Sequence, residues 1–351
     1  MCCDVADCRY SRARYDLPLC DPYHVDRTGR SFFVSTYSKP HLTIDEQIAR
    51  LESRGMLIGD HSLARKYLMS VGYYNLSGYS YTMRKSIPAR DGGGKESGFR
   101  GGVTFEQVVS LYQFDQSLRL LVLEALGVVE QAVKVVVAYQ LGALDTFAHT
   151  NASFFKSSFT TAADGESSSQ HQTWLSDHHD HLANRKNQLP FVEHYLTRYG
   201  IPLPIWVAIE SMDFGDIGWM VKNLRQDLAL NISRHFGIED FTLFKSWIST
   251  ANALRNICAH HERLWNRVFA FKPKISSDPF FSSLNGDEHR WKRMYGLSLI
   301  LAYLLAQVDM GYSWGERFGA LLNTLPEGPG TSITSMGAPK GWSTHPTWQP
   351  T

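Results

Sequence analysis

The 351-residue sequence predicts an all-α protein, a bundle of helices in which strand-like alternation is nowhere sustained. Two capping boxes, Thr43 to Glu46 and Thr104 to Gln107, place a hydroxyl three positions before a carboxylate or amide. That spacing lets the two side chains satisfy orphan amides at a helix start. Leucines, valines and alanines then recur at helical spacing as Leu118, Leu121, Val122, Ala125, Val129 and Val133, which describes a core helix. With 43% hydrophobic and 20% charged residues, the chain has ample material for a core.

The elements follow in order. Residues 1–36 lack periodicity and read as a disordered or loosely attached leader, with no apolar run of the kind a signal peptide needs. Four cysteines (Cys2, Cys3, Cys8, Cys20) fall in this leader and Cys258 stands alone, with no C-x-x-C pair. A reduced extension is the plainer reading, a zinc knuckle the sharper one. The helix opened by Thr43 carries Ile44, Ile48 and Leu51 on one face and stops by Gly55. A second helix runs from about Leu63 to Val71. The aromatic run Gly72 to Tyr79 then packs or turns; Tyr73, Tyr74 and Tyr79 either fill a helix interface or stack unpaired bases. Asp91 to Gly98 is a loop without the Gly-Lys-Ser/Thr ending of a phosphate cradle. The long helix from Thr104 reaches about Gly142 with a break expected near Asp115. Residues 156–173, rich in Ser, Thr and Ala, read as a loop.

Further helices are expected from about Trp174, Phe191, Ile205 (with Pro204 in its first turn), Asp216, Asp227 and Phe241. The last of these runs about from Asp240 to Arg267. After Pro273 and Pro279 a final apolar helix covers about Trp291 to Val308, and a Pro/Gly/Ser/Thr-rich tail begins at Leu325. The expected organisation is a leader (1–36), an N-terminal helical subdomain (37–100), a helical core (101–324) and an extended tail docking on that core (325–351).

The formal net charge of +1 excludes a uniformly basic nucleic-acid binder, so any such surface is a local patch. No apolar run approaches the ~20 residues of a membrane span. A cytoplasmic protein without a membrane partner is expected.

The chemistry is carried by Leu254 to Arg267, LRNICAHHERLWNR. At about 100° per residue, Leu254, Ile257, His261, Leu264, Trp265 and Val268 form an apolar stripe. Asn256, His260, Arg263 and Arg267 lie opposite within a wedge of about 60°. His261 then points into the core as a packing histidine, and His260 faces solvent among arginines. A histidine beside arginines repels a metal ion but suits a phosphodiester. Imidazole moves protons near neutral pH, and guanidinium offers a fork for two phosphate oxygens. The bland alternative is a solvated basic face. Arg255 lies about 140° from His260 on an ideal helix. Either its arm wraps round, the helix distorts, or a second subunit supplies its own copy; the last is favoured.

Arg255 to His260 fits the R-x(4–6)-H pattern of HEPN ribonucleases, and Arg255 to Arg267 resembles the signature of the Abi-D/Abi-F abortive-infection family. Lys39 to Gln47, Gly72 to Tyr79, Tyr112 to Arg119, Pro204 to Glu210 with Phe214-Gly215, and the segment Met336 to Trp348 resemble that family too, in order from about residue 37 to 348. The resemblance implies an HEPN-like helical bundle with additional N-terminal helices. It implies an anti-phage toxin that cuts RNA as a homodimer, restrained or tuned by a bound non-coding RNA, without cofactor or metal. Carried over, Arg255 polarises the phosphate, His260 handles the proton and Asn256 orients either. Arg263, Arg267 and Lys134 would contact RNA, with His261 and Glu130 in support. Glu130 and Lys134 match a Glu-x-x-x-Lys/Arg pair of related proteins, and an ordinary i, i+4 ion pair is the competing reading.

Asp177-His178-His179-Asp180-His181 resembles a metal cluster, since Asp177 and His181 could chelate from one helix face; a solvated helix start is the blander reading. The rival functions are a non-cleaving RNA-binding scaffold and a protein–protein adaptor.

Overall fold

The computed structural model describes residues 23–25, 31–33, 40–91, 93–185, 189–308 and 313–349. The four N-terminal cysteines lie outside them. Within the expected leader, β1 (Tyr23–Val25) pairs antiparallel with β2 (Ser31–Phe33). Thr43 opens α1 (Ile44–Ser53) as expected: the Thr43 amide donates to Glu46 Oε2 at 2.7 Å, and the Glu46 amide donates back to Thr43 Oγ1 at 3.3 Å. Asp60 caps α2 (His61–Ser70). The aromatic run forms a helix of its own, α3 (Tyr73–Ser80), burying Leu76 and Tyr79. A hairpin of β3 (Arg84–Ser86) and β4 (Lys95–Phe99) follows.

Thr104 and Gln107 cap α4 (Phe105–Gly142), whose 38 residues make it about 57 Å long. The expected break at Asp115 does not occur. Asp115 is fully buried and its carboxylate is taken by side chains and distant amides, so it does not compete for its own helix backbone. After α5 (Ser157–Thr160), in the segment read as a loop, come α6 (Gln170–Arg185), α7 (Pro190–Tyr199), α8 (Ile205–Ser211), α9 (Phe214–Asn223), α10 (Gln226–His235) and α11 (Phe241–Ala259). Pro204 sits at the N-cap of α8 rather than in its first turn. Then come α12 (Met294–Ala306) and α13 (Trp314–Leu322). Helix α12 is buried nearly all round, as its unbroken apolar composition requires. It is not the last helix, because α13 follows it.

Helices α3 and α8 to α13 all pack on α4. The tail after Leu325 lies against α13, where a side chain at Gly315 or Gly319 would strike the backbone of Thr347 or Trp348. Trp348 is buried there. None of the described helices is long and apolar enough to cross a membrane.

Candidate functional site

Helix α11 starts at Asp240, whose Oδ1 accepts the Thr242 amide at 2.8 Å and whose Oδ2 meets Lys274 Nζ at 2.6 Å. Phe244, Trp247, Ile248, Ala251, Leu254 and Cys258 form its buried stripe. The helix was expected to continue to Arg267, but it ends at Ala259. The His261 amide donates to Cys258 O at 3.1 Å and the Glu262 amide to Ile257 O at 3.0 Å, while His261 turns left-handed at φ +57°. These are the paired bonds of a Schellman stop, with histidine where glycine usually stands. The absence of that glycine made the termination invisible in the sequence.

The early stop overturns the helical-wheel assignment beyond His260. His261 is exposed instead of facing the core, and Val268 is 57% exposed instead of buried. Arg263 and Arg267 leave the wedge they were expected to share with Asn256 and His260. Arg263 donates through Nη1 to Gly78 O, and its guanidinium lies 6.0 Å from the Tyr79 ring centre. Arg267 pairs with Glu262 at 2.6 Å.

What holds this turn is a buried polar lock that the sequence reading did not single out. Asp115 Oδ1 accepts the amides of Leu264 at 3.1 Å and Trp265 at 2.6 Å. Its Oδ2 accepts the Tyr79 phenol at 2.7 Å and the Arg119 guanidinium one turn along α4. Arg119 also donates to the Tyr79 oxygen at 3.2 Å. Burial raises the pKa of the Asp115 carboxyl, and Arg119 with the three other donors opposes that rise. Burial beside Asp115 likewise pushes the Tyr79 phenol up. The three stretches Gly72 to Tyr79, Tyr112 to Arg119 and Arg255 to Arg267 therefore meet at one carboxylate. An acid and an arginine four apart inside an apolar helix were the available signal, since such charges are rarely buried unless paired.

At the surface, Arg255, Asn256, Glu130 and Lys134 come together. Arg255 Nε stands 3.9 Å from Glu130 Oε2, and Lys134 Nζ stands 3.9 Å from Glu130 Oε1. Arg255 Nη1 reaches Asn256 Oδ1 at 3.4 Å. Lys134, expected to touch RNA, is only 8% exposed and directs its charge at Glu130. One carboxylate thus faces two cations, and the cluster keeps a net positive charge. His260 caps α11, its amide donating to Asn256 O at 2.9 Å while its side chain is exposed. No hydrogen bond or ion pair joins His260 to Arg255 among the described residues. Cys258 is buried beneath them with its thiol pushed up to about 12 by burial, so it is no nucleophile.

The residues of this surface and those of the lock all lie between Tyr79 and Trp265. The sequence model of the Abi-like protein family matches residues 66–266, more than half of the chain. The chain belongs to the Abi-like protein family. The matched span holds Tyr79, Asp115, Arg119, Glu130, Lys134, Arg255, Asn256 and His260 of this Abi-like protein. It stops short of Lys39 to Gln47 and Met336 to Trp348, where resemblance was also expected. No curated protein and no solved structure matches the chain.

Two other places in this Abi-like protein were candidates. Asp177 to His181 lies in the middle of α6, not at its start, and His178 is buried with His171, Trp174 and Leu182 at helical spacing. Among the described residues no group of three or more histidines, cysteines or acids is placed to hold a metal ion. An apolar cavity of about 560 Å³ runs along α4 past Gly127, Val135, Phe236 and Val308, and none of Arg255, Asn256 or His260 lines it.

Proposed function

We propose that this protein is an abortive-infection endoribonuclease, with Arg255, Asn256 and His260 acting on an RNA phosphodiester in a homodimer. Family membership supports a role in defence against phage. The observation that carries the chemistry is the placement of Arg255 and His260, both solvent-accessible at the C-terminal end of α11, with Arg255 fed by a carboxylate that is shared with Lys134. Glu130 orients the guanidinium without neutralising the cluster. The fork is left with charge to offset a phosphorane. Guanidinium, amide and imidazole groups suit a phosphodiester better than a divalent cation.

In this mechanism the 2′-oxygen attacks phosphorus as neutral His260 takes its proton. The bond to the 5′-oxygen breaks, and the His260 imidazolium of a second copy protonates that leaving oxygen. The products are a 2′,3′-cyclic phosphate and a free 5′-hydroxyl, with Arg255 balancing charge on the non-bridging oxygens. Two copies of α11 answer the lack of contact between Arg255 and His260 within one chain. A bound non-coding RNA would restrain or tune the same surface.

The test is expression of wild type, Arg255→Ala and His260→Ala in bacteria, with RNA cleavage assayed on the purified chains. Wild type should be toxic and cut RNA, and both variants should lose at least a hundredfold in cutting, about the loss of one general acid–base group. A wild-type chain that never cuts RNA, alone or stripped of bound nucleic acid, defeats this reading. One observation favours a non-cleaving RNA-binding scaffold: no side chain among the described residues orients the His260 ring, as a general base usually requires. A discrete RNA released by protease from a chain without nuclease activity would select the scaffold.

A further inference from the structure

Tyr74 lies one turn before Gly78 on α3, and residues four apart share a helix face. The Gly78 carbonyl is the acceptor for Arg263, three residues after His260. Tyr74 is 91% exposed, more than any other large apolar side chain among the described residues. Its phenol makes no hydrogen bond and its ring no stacking contact among those residues. Arg263 has no carboxylate partner among the described residues: Glu262 beside it is paired with Arg267, and the buried Asp115 is taken by Arg119, Tyr79 and the Leu264 and Trp265 amides.

The ring stands on a fixed base. Leu76 and Tyr79 bury the opposite face of α3, and Tyr79 packs edge-on against Tyr112 at 5.6 Å. Asp115 accepts from Tyr79 on α3 and from Leu264 and Trp265 in the turn after His260. One buried carboxylate therefore holds α3 and the His260 turn in fixed relation. That fixed frame carries a bare aromatic ring on α3, a guanidinium bound to the carbonyl one turn after that ring, and an exposed imidazole three residues before the guanidinium. Unpaired bases expose the π-face that an aromatic platform needs, whereas bases inside a duplex cover it with their neighbours.

We propose that Tyr74 is a base-stacking platform for the RNA strand whose phosphate lies at Arg255 and His260, with Arg263 guiding the backbone between them, so that the protein selects unpaired nucleotides. This rests on the RNA-directed reading of the α11 surface. Arg263 touches phosphate irrespective of sequence, and Tyr74 distinguishes single strand from duplex.

The test uses the full chain carrying His260→Ala, to prevent cleavage, and a fluorescently labelled single-stranded RNA 12-mer, alone or annealed to its complement, at one fixed salt concentration. Tyr74→Ala should weaken single-strand binding by roughly 5- to 150-fold, the range measured for loss of one stacked base. It should leave duplex binding unchanged. Tyr74→Trp should keep single-strand binding and lose indole emission as RNA saturates it. Arg263→Ala should weaken both RNAs. Because Tyr74 is exposed, both Tyr74 variants should melt with their parent.

Single-strand binding that is indifferent to Tyr74→Ala, or absent altogether, overturns the platform. Cleavage by the chain with native His260 is scored separately. RNA cutting without sensitivity to Tyr74 sinks the platform alone. Tyr74-dependent binding by a chain that never cuts leaves the platform standing and removes the nuclease.

Discussion

Asp115 Oδ1 accepts the backbone N–H of Trp265 at 2.6 Å, tying the middle of α4 to the turn after α11 across 150 residues of sequence. Removing that carboxylate strands two amides and the Arg119 guanidinium, all buried. Asp115→Ala is therefore expected to cost about 3–5 kcal/mol of unfolding free energy, the usual penalty for breaking one side of a buried pair. Tyr79→Phe removes one donor and should cost about 1–3 kcal/mol. Denaturant titration of both variants checks this, and an Asp115→Ala loss no larger than that of a surface substitution would show the lock to be dispensable.

His261 occupies a left-handed conformation where glycine carries no Cβ penalty. His261→Gly is expected to stabilise the fold by up to about 1 kcal/mol, and His261→Val to destabilise it by at least as much. Thermal melts distinguish the two. If both substitutions shift the midpoint in the same direction, the turn is not under strain at this residue.

Glu130 serves both Arg255 and the largely buried Lys134. Glu130→Gln should lower stability, because Lys134 keeps its charge without a counter-ion, and should lower RNA cleavage, because Arg255 loses its guide. Adding Lys134→Met should restore stability while cleavage stays low. Recovery of both together would mean that Glu130 acts only through the fold.

His149 and His178 are buried with ring centres 6.2 Å apart, and burial pulls them down to about 3 and about 4 from an ordinary 6.5. Below pH 6.5 the unfolded chain binds protons that the folded chain refuses. Stability contributed by these groups is thus complete above that pH and lost as pH falls toward 4 and then 3, at up to about 1.4 kcal/mol per pH unit for each histidine. Denaturant titrations from pH 7 to pH 4 should show that slope, and His178→Phe should flatten part of it. An unchanged slope would mean that His178 is protonated in the native state.

The sequence by itself determined the helical class, the capped starts of α1 and α4, and the place of Arg255 and Asn256 on a long helix that starts at Asp240. Each depends on residues within a few positions of one another: hydroxyl and carboxylate three apart, apolar side chains at helical spacing, an uncapped polar cluster. Glu130 and Lys134 were legible as a pair for the same reason, although not as the partner of Arg255.

Only the tertiary structure decided where α11 stops, because the stop uses a histidine in a glycine conformation and is held by a carboxylate on another helix. It also decided that α4 runs unbroken through Asp115, whose charge meets donors from α3, its own next turn and the Trp265 loop. The direction of His178 was settled likewise, by the aromatic residues packed round it. Hydrogen bonds and burial between residues far apart in sequence leave no periodic trace, and they are what tie α3 to the turn that follows His260.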